Sequence, residues 1–154
     1  MNLVRTDSTN PDFTALVVHL DAFLRVLDGE EHVFYAQLNK TDLLRQVVLA
    51  YIDDQAVGCG AIREYSDTTT EVKRMFVLPE YRGKGIAGKV LSELEKWAAE
   101  SGYTECVLET GKRQPEAIRL YQKSGYNLIP NFGKYAGVEN SVCMHKIILP
   151  HALF

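Results

Sequence analysis

Arg82-Gly83-Lys84-Gly85 sets two glycines and two cations where a β-forming run gives way to a helical one. Before it, Glu71-Val72-Lys73-Arg74-Met75-Phe76-Val77-Leu78 reads as a strand that Pro79 terminates, because proline has no N–H for a ladder. After it, Ile86, Val90, Leu91, Leu94 and Trp97 recur at helical spacing. A helix N-terminus presents unbonded N–H groups and the positive end of its dipole, and glycine lets an anion approach the backbone closely. The chemistry expected there is binding of a phosphate or pyrophosphate.

Glycines at such a junction also serve simple turns. Gly83-x-Gly85-x-x-Gly88, with Glu109 ending a later strand, matches a dinucleotide-binding fingerprint. Against that match, Pro79-Glu80-Tyr81-Arg82 separates the strand from the first glycine, whereas a dinucleotide fold turns at once. No Gly-Lys-Ser or Gly-Lys-Thr follows at the spacing of a Walker loop.

Arg82-x-x-Gly85-x-Ala87 also has the form Arg/Gln-x-x-Gly-x-Gly/Ala, which resembles the pyrophosphate motif of the GNAT superfamily of N-acetyltransferases. A second block, Ala117-Ile118-Arg119-Leu120-Tyr121-Gln122-Lys123-Ser124-Gly125-Tyr126, resembles that family's Ala-x-x-Leu-Tyr-x-x-x-Gly-Phe/Tyr segment. The resemblance is strongest over residues 45–128. It implies an α/β fold of the acyl-CoA N-acyltransferase type. The sheet would be mixed and largely antiparallel, with a central parallel pair that splays to hold acetyl-CoA, and about four helices would flank it. One N-acetyltransferase domain would span residues 1–154.

Acetyl transfer to an amine needs a held thioester, a polarised carbonyl and a neutral nucleophile. An alkyl ammonium has a pKa near ~10.4, so at neutral pH a base must take its proton, and an acid must assist the departing thiolate. By the resemblance, Glu71 is the candidate base, with Glu64, which closes the neighbouring strand, as the runner-up. The structural alternative makes Glu71 a strand carboxylate paired with Lys73 or Arg74. Tyr121, at the family's tyrosine position, is the candidate acid. The resemblance further implies that the carbonyl meets a backbone N–H near Phe76 or Val77. The N–H groups of Gly83, Lys84, Gly85, Ile86 and Ala87 would take the pyrophosphate, with charge from Arg82 and Lys84. Gln114 stands where the family often has asparagine and still offers an amide to the pantetheine arm.

For the acceptor, Glu64 and Glu109 suit an ammonium group, and Tyr135, Asn140 and Ser141 flank a glycine-containing loop beside the cleft. An amino acid acceptor would also need a cation for its carboxylate, such as Arg63 or Lys134. His19 and His32 are further candidate contacts, each with a plain surface role as its alternative. The four histidines are scattered, so no metal site is expected.

These residues must be carried by the following elements. Strand pattern marks 2–6, 46–52, 56–63, 71–78, 106–110, 126–129 and 141–149, with Asp53-Asp54-Gln55 a hairpin turn. Phe13, Leu16, Val17, Leu20, Phe23, Leu24 and Leu27 give a helix from Asp12 to about Leu27, preceded by cap residues and Pro11. A short second helix is expected over His32–Asn39, with a turn at Thr41-Asp42. Further helices are expected from Lys84 to Gly102 and from Pro115 to Lys123. The strands before and after the Lys84 helix should be parallel, because a helix crosses between them.

Length and charge bound the rest. The 154 residues can bury a core, and 46% hydrophobic with 24% charged content is ordinary for a globular chain. A net charge of −3 offers no general attraction for nucleic acid or an anionic membrane. Cys59, Cys106 and Cys143 are odd in number and sit among apolar neighbours, as buried reduced thiols of a cytoplasmic chain would. No signal peptide or membrane span is apparent in the sequence. The apolar ends Ile147-Ile148-Leu149 and Ala152-Leu153-Phe154 leave monomer and homodimer both open. The expected activity is acetyl transfer from acetyl-CoA to a primary amine of a small molecule, with a peptide as the other acceptor left open. A non-catalytic acyl-CoA-binding module and a nicotinamide oxidoreductase are the alternatives.

Overall fold

The computed structural model describes residues 1–29 and 43–148. The expected short helix at His32–Asn39, the Thr41-Asp42 turn, His32 itself and the apolar tail fall outside them.

The strands are β1 (Asn2–Thr6), β2 (Gln46–Ile52), β3 (Gln55–Glu64), β4 (Thr69–Val77), β5 (Glu105–Gly111), β6 (Asn127–Ile129) and β7 (Ser141–Ile147). The α-helices among the described residues are α1 (Pro11–Asp28), α2 (Ile86–Glu100) and α3 (Pro115–Lys123). The hydrogen-bonded strand order is β1-β2-β3-β4-β5-β7-β6. The mixed sheet and its parallel β4–β5 pair are those of the acyl-CoA N-acyltransferase fold.

The contacts divide the chain into two compact units, Met1–Ile62 with Arg74–Leu94, and Arg63–Lys73 with Glu95–Phe154. In the first, β1 and β2 pair antiparallel from Asn2↔Tyr51 to Thr6↔Val47. The β2–β3 hairpin closes on Asp53 and Asp54, both with positive φ, as a tight turn between twisted strands requires. The helix α1 starts where its residues dictate, with the Asn10 side chain accepting from the Asp12 N–H at 2.9 Å and Pro11 in the first position. Its apolar stripe, Phe13, Leu16 and Leu20, is buried with Val47, Leu49, Ala61 and Phe76 in one core cluster.

In the second unit, β5 and β7 pair antiparallel from Glu105↔Ile147 to Gly111↔Ser141, and short β6 pairs with β7 on its other side. The parallel β4–β5 register runs only from Thr69↔Glu105 to Glu71↔Val107. Glu71 is therefore its last pair, while β5 runs on to Gly111. Helix α2 begins at Ile86 rather than Lys84, because Gly83 and Gly85 hold non-helical positive φ ahead of it.

Candidate active site

The anion loop belongs to the first unit. A single 3-10 turn, Pro79–Tyr81, carries the chain off β4. Gly83 and Gly85 then take φ of +79° and +78°, a region that side-chain-bearing residues enter only with strain. A Cβ at either position would meet nothing within 4 Å, so backbone conformation and not crowding demands glycine there. Lys89 N–H is bonded to Gly85 C=O at 3.2 Å, so the N–H groups of Ile86, Ala87 and Gly88 precede the helical ladder. Open space around paired glycines at a helix start suits the pyrophosphate of a coenzyme A derivative. Lys84 holds its ammonium 5.3 Å from the Tyr81 ring centre.

Arg82 acts differently from a simple loop cation. Its Nε donates to Val77 C=O at 2.9 Å, and its guanidinium lies 5.1 and 5.4 Å from the ring centres of Phe23 and Phe76. It braces the loop against the end of β4. Phe76 and Val77, the expected carbonyl-binding positions, are both buried. Arg74, shortly before them, has φ +58° and turns its guanidinium to Asp21 at 2.9 Å.

The acid–base candidates belong to the second unit. Glu71 is 3% exposed. Its Oε2 accepts from the Tyr135 hydroxyl at 3.1 Å and lies 3.7 Å from Lys73 Nζ, while its Oε1 lies 3.6 Å from an Arg63 guanidinium nitrogen. Lys73 also donates to the Tyr135 hydroxyl at 3.2 Å. A carboxylate this buried is viable because charge and hydrogen bonds compensate it. Thus Glu71 pairs with Lys73 and with Arg63, whereas Arg74 is directed elsewhere.

Tyr121 is buried on α3, edge-on to Tyr126 at 5.9 Å between ring centres. Burial first, and then the negative charge of Glu109, push its phenol above the ordinary tyrosine value. Burial, followed by the charges of Glu71 and Glu109, does the same to Tyr135. The charge of Glu109 thus bears on both phenols, and its Oε2 accepts from Ser141 Oγ at 2.7 Å. The structure therefore brings Glu71, Glu109, Tyr121 and Tyr135 into one neighbourhood. The side-chain nitrogens of Asn140 and Gln114 converge on Gly111, lying 3.3 and 3.8 Å from where its Cβ would stand. Gln114 does not spend its amide on capping α3.

Glu64 is not part of this cluster. It is exposed and accepts from the Tyr103 hydroxyl at 2.8 Å. His19 is exposed on α1. Lys73, which the sequence offered together with Arg74 as a partner for Glu71, is the one that meets it. Its spacing of two from Glu71, which puts both on one face of a strand, was the available signal. A surface depression lined by Met1, Asn2, Val4, Tyr51, Asp53 and Asp54 contains none of the candidate residues.

Known proteins share this sequence pattern and this fold. The profile of the Acetyltransferase (GNAT) family matches residues 11–126. An IAA acetyltransferase of Azospirillum brasilense is 36% identical over 135 residues, covering 85% of this chain and 87% of the relative. A structure from Klebsiella pneumoniae subsp. pneumoniae, described as an acyl-CoA N-acyltransferase, superposes with a TM-score of 0.81 at 30% identity. That match covers 96% of this chain and 97% of the other. A GNAT acetyltransferase of Elizabethkingia anophelis solved with acetyl-CoA bound shares the fold, with a TM-score of 0.67 at 20% identity over 96% of this chain and 97% of that one. With both sequence blocks, the parallel pair that ends at Glu71 and a family match over most of its length, this chain belongs to the GNAT family and is an N-acetyltransferase.

Proposed function

We propose that the chain, acting as one domain in the cytoplasm, transfers an acetyl group from acetyl-CoA to the primary amine of a small-molecule acceptor. The transfer proceeds by direct attack in a ternary complex, with Glu71 as general base and Tyr121 as general acid. The observation that carries this reading is the buried Glu71 carboxylate, placed at the last rung of the parallel β4–β5 ladder and oriented by the Tyr135 hydroxyl.

Acetyl-CoA supplies the activated acyl thioester. The chain supplies the rest. The N–H groups from Gly83 to Ala87 bind the pyrophosphate, and the Gln114 amide serves the pantetheine arm. A backbone N–H near Phe76 or Val77 polarises the carbonyl. Glu71 accepts the proton of the attacking ammonium, directly or through a water. Tyr121, kept protonated by burial, has a proton to give to the departing sulfur.

Calorimetry of acetyl-CoA against NADH, followed by assay of free thiol with a panel of amines, tests this. The expected result is acetyl-CoA binding without NADH binding, with thiol release that depends on an amine. Preference for NADH would overturn the reading, and acetyl-CoA binding without amine-dependent thiol release would reduce the chain to a binding module.

A further inference from the structure

We propose that the acceptor is an α-amino acid with a flat apolar side chain, and that Arg63 receives its carboxylate while Glu71 takes the proton of its amine. This rests on the transferase reading above and names the substrate class of the same site.

The first observation is the state of Arg63. Its side chain is 37% exposed, and the nearest approach of its guanidinium to Glu71 is 3.6 Å, an ion pair too long for a hydrogen bond. Among the described residues no hydrogen bond takes up its donors. A planar fork of N–H groups, solvent-accessible and beside the proposed base, is the group that recognises a carboxylate in bidentate fashion.

The second is the local charge. Glu71 and Glu109 supply two negative charges. Against them stand Arg63, Lys73 and Lys134, the last with its ammonium 5.6 Å from the Tyr135 ring centre. A site meant for a plain amine or a polycation would be expected to carry net negative charge, because like charges beside the base oppose a cationic substrate. A zwitterion answers both signs at once, with its ammonium towards carboxylate and its carboxylate towards guanidinium.

The third is the wall beside these groups. Tyr65, 48% exposed, stands edge-on to Phe132 at 5.2 Å, and Phe132 stands edge-on to Tyr135 at 5.5 Å. The ring chain leads from solvent to the residue whose hydroxyl bonds Glu71. Aromatic faces and edges of this kind hold flat apolar groups.

Thiol release is measured with phenylalanine, phenylalaninamide, 2-phenylethylamine and kanamycin, with kcat/KM expressed per neutral amine, alongside acetyl-CoA calorimetry. Phenylalanine is expected to exceed its two uncharged-tail analogues by roughly ten- to a hundredfold, the weight of one charge-assisted recognition contact. In Arg63→Gln that ratio is expected to fall to about one. Where Arg63→Gln does not unfold cooperatively, the comparison within the parent protein decides. Equal rates for acid and analogues, preference for kanamycin, a ratio that survives in Arg63→Gln, or acetyl-CoA binding with no turnover of any of the four overturns the acceptor proposal. Turnover of the carboxylate-free amines leaves the transferase reading intact. Absence of acetyl-CoA binding overturns that reading, and the acceptor with it.

Discussion

The Tyr135 hydroxyl donates to Glu71 Oε2 at 3.1 Å while it accepts from Lys73 Nζ at 3.2 Å. Its single proton and a lone pair are both committed, and the ring is 2% exposed, so the hydroxyl has little freedom to turn. The contact ties the 3-10 turn Gly133–Tyr135 to β4 and sets the orientation of the proposed base. Tyr135→Phe would keep the ring packing but withdraw the donor from a buried carboxylate oxygen. We expect a loss of about 1–3 kcal/mol in stability by urea denaturation, together with a fall in kcat.

Glu71→Gln preserves shape and removes the proton acceptor. The expected fall in kcat is roughly a hundredfold or more, with the acetyl-CoA dissociation constant near that of the parent. The deficit should widen at lower pH, because only the already neutral fraction of the amine then reacts, and that fraction drops about tenfold per pH unit. Kinetics at several pH values, with calorimetry in parallel, check this. A variant whose rates match the parent at every pH would leave Glu71 a structural partner of Lys73, Arg63 and Tyr135.

Burial and the charge of Glu109 hold the Tyr121 phenol above its ordinary value. It therefore remains a proton donor through neutral and mildly alkaline pH, and kcat should show no alkaline decline from Tyr121 below about pH 10. Tyr121→Phe is expected to lower kcat about a hundredfold, with the KM for acetyl-CoA much less affected. A steady-state pH profile of both proteins reads the difference.

The three thiols are buried. Burial pushes Cys59 and Cys106 up to about 12, opposed at Cys59 by the positive charge of Arg74 and reinforced at Cys106 by the negative charge of Glu95. Cys143 is raised as well, again chiefly by burial. Iodoacetamide at pH 8 should leave the native protein unmodified and label all three thiols in denaturant, as read by mass spectrometry. Raised folded-state values also set the sign of the alkaline response. This contribution to stability is complete below the unfolded thiol value of roughly 8.5 and is lost as pH rises towards about 12.

Two glycines should respond differently to alanine. A Cβ at Gly60 would press on the Met75 sulfur and lie 2.9 Å from Leu94 and 3.0 Å from Val90, so Gly60→Ala overpacks and should cost about 1–3 kcal/mol. At Gly83 there is space but φ is +79°, so Gly83→Ala should cost about 1–2 kcal/mol of backbone strain and weaken acetyl-CoA binding. Thermal unfolding and calorimetry separate the two.

Local patterns in the sequence were enough for most elements. Helical spacing from Ile86 to Trp97, Pro11 and Pro115 at helix starts, and β-forming runs with a turn at Asp53-Asp54 all act within a few residues, and the observed elements follow them closely. The loop was legible for the same reason, since Gly83 and Gly85 meet a conformational demand made on the spot. So was the likeness of the Tyr121 block to the family's.

Partnerships at the site were decided by the tertiary structure. From the sequence, Lys73 and Arg74 were equal candidates to pair with Glu71. Alternation along β4 puts Lys73 on the face of Glu71, where the two pair, and Arg74, whose φ is +58°, has its guanidinium on Asp21 instead. Arg63 on β3, Glu109 on β5 and Tyr135 in a distant turn join Glu71 because strands remote in sequence pair into one sheet and place their side chains in one neighbourhood. Glu64, by contrast, is engaged at the surface by Tyr103. The sequence by itself determined the elements, the loop and the family. Only the folded chain decided which groups remote in sequence meet, because pairing across strands depends on register, which is not written in local composition.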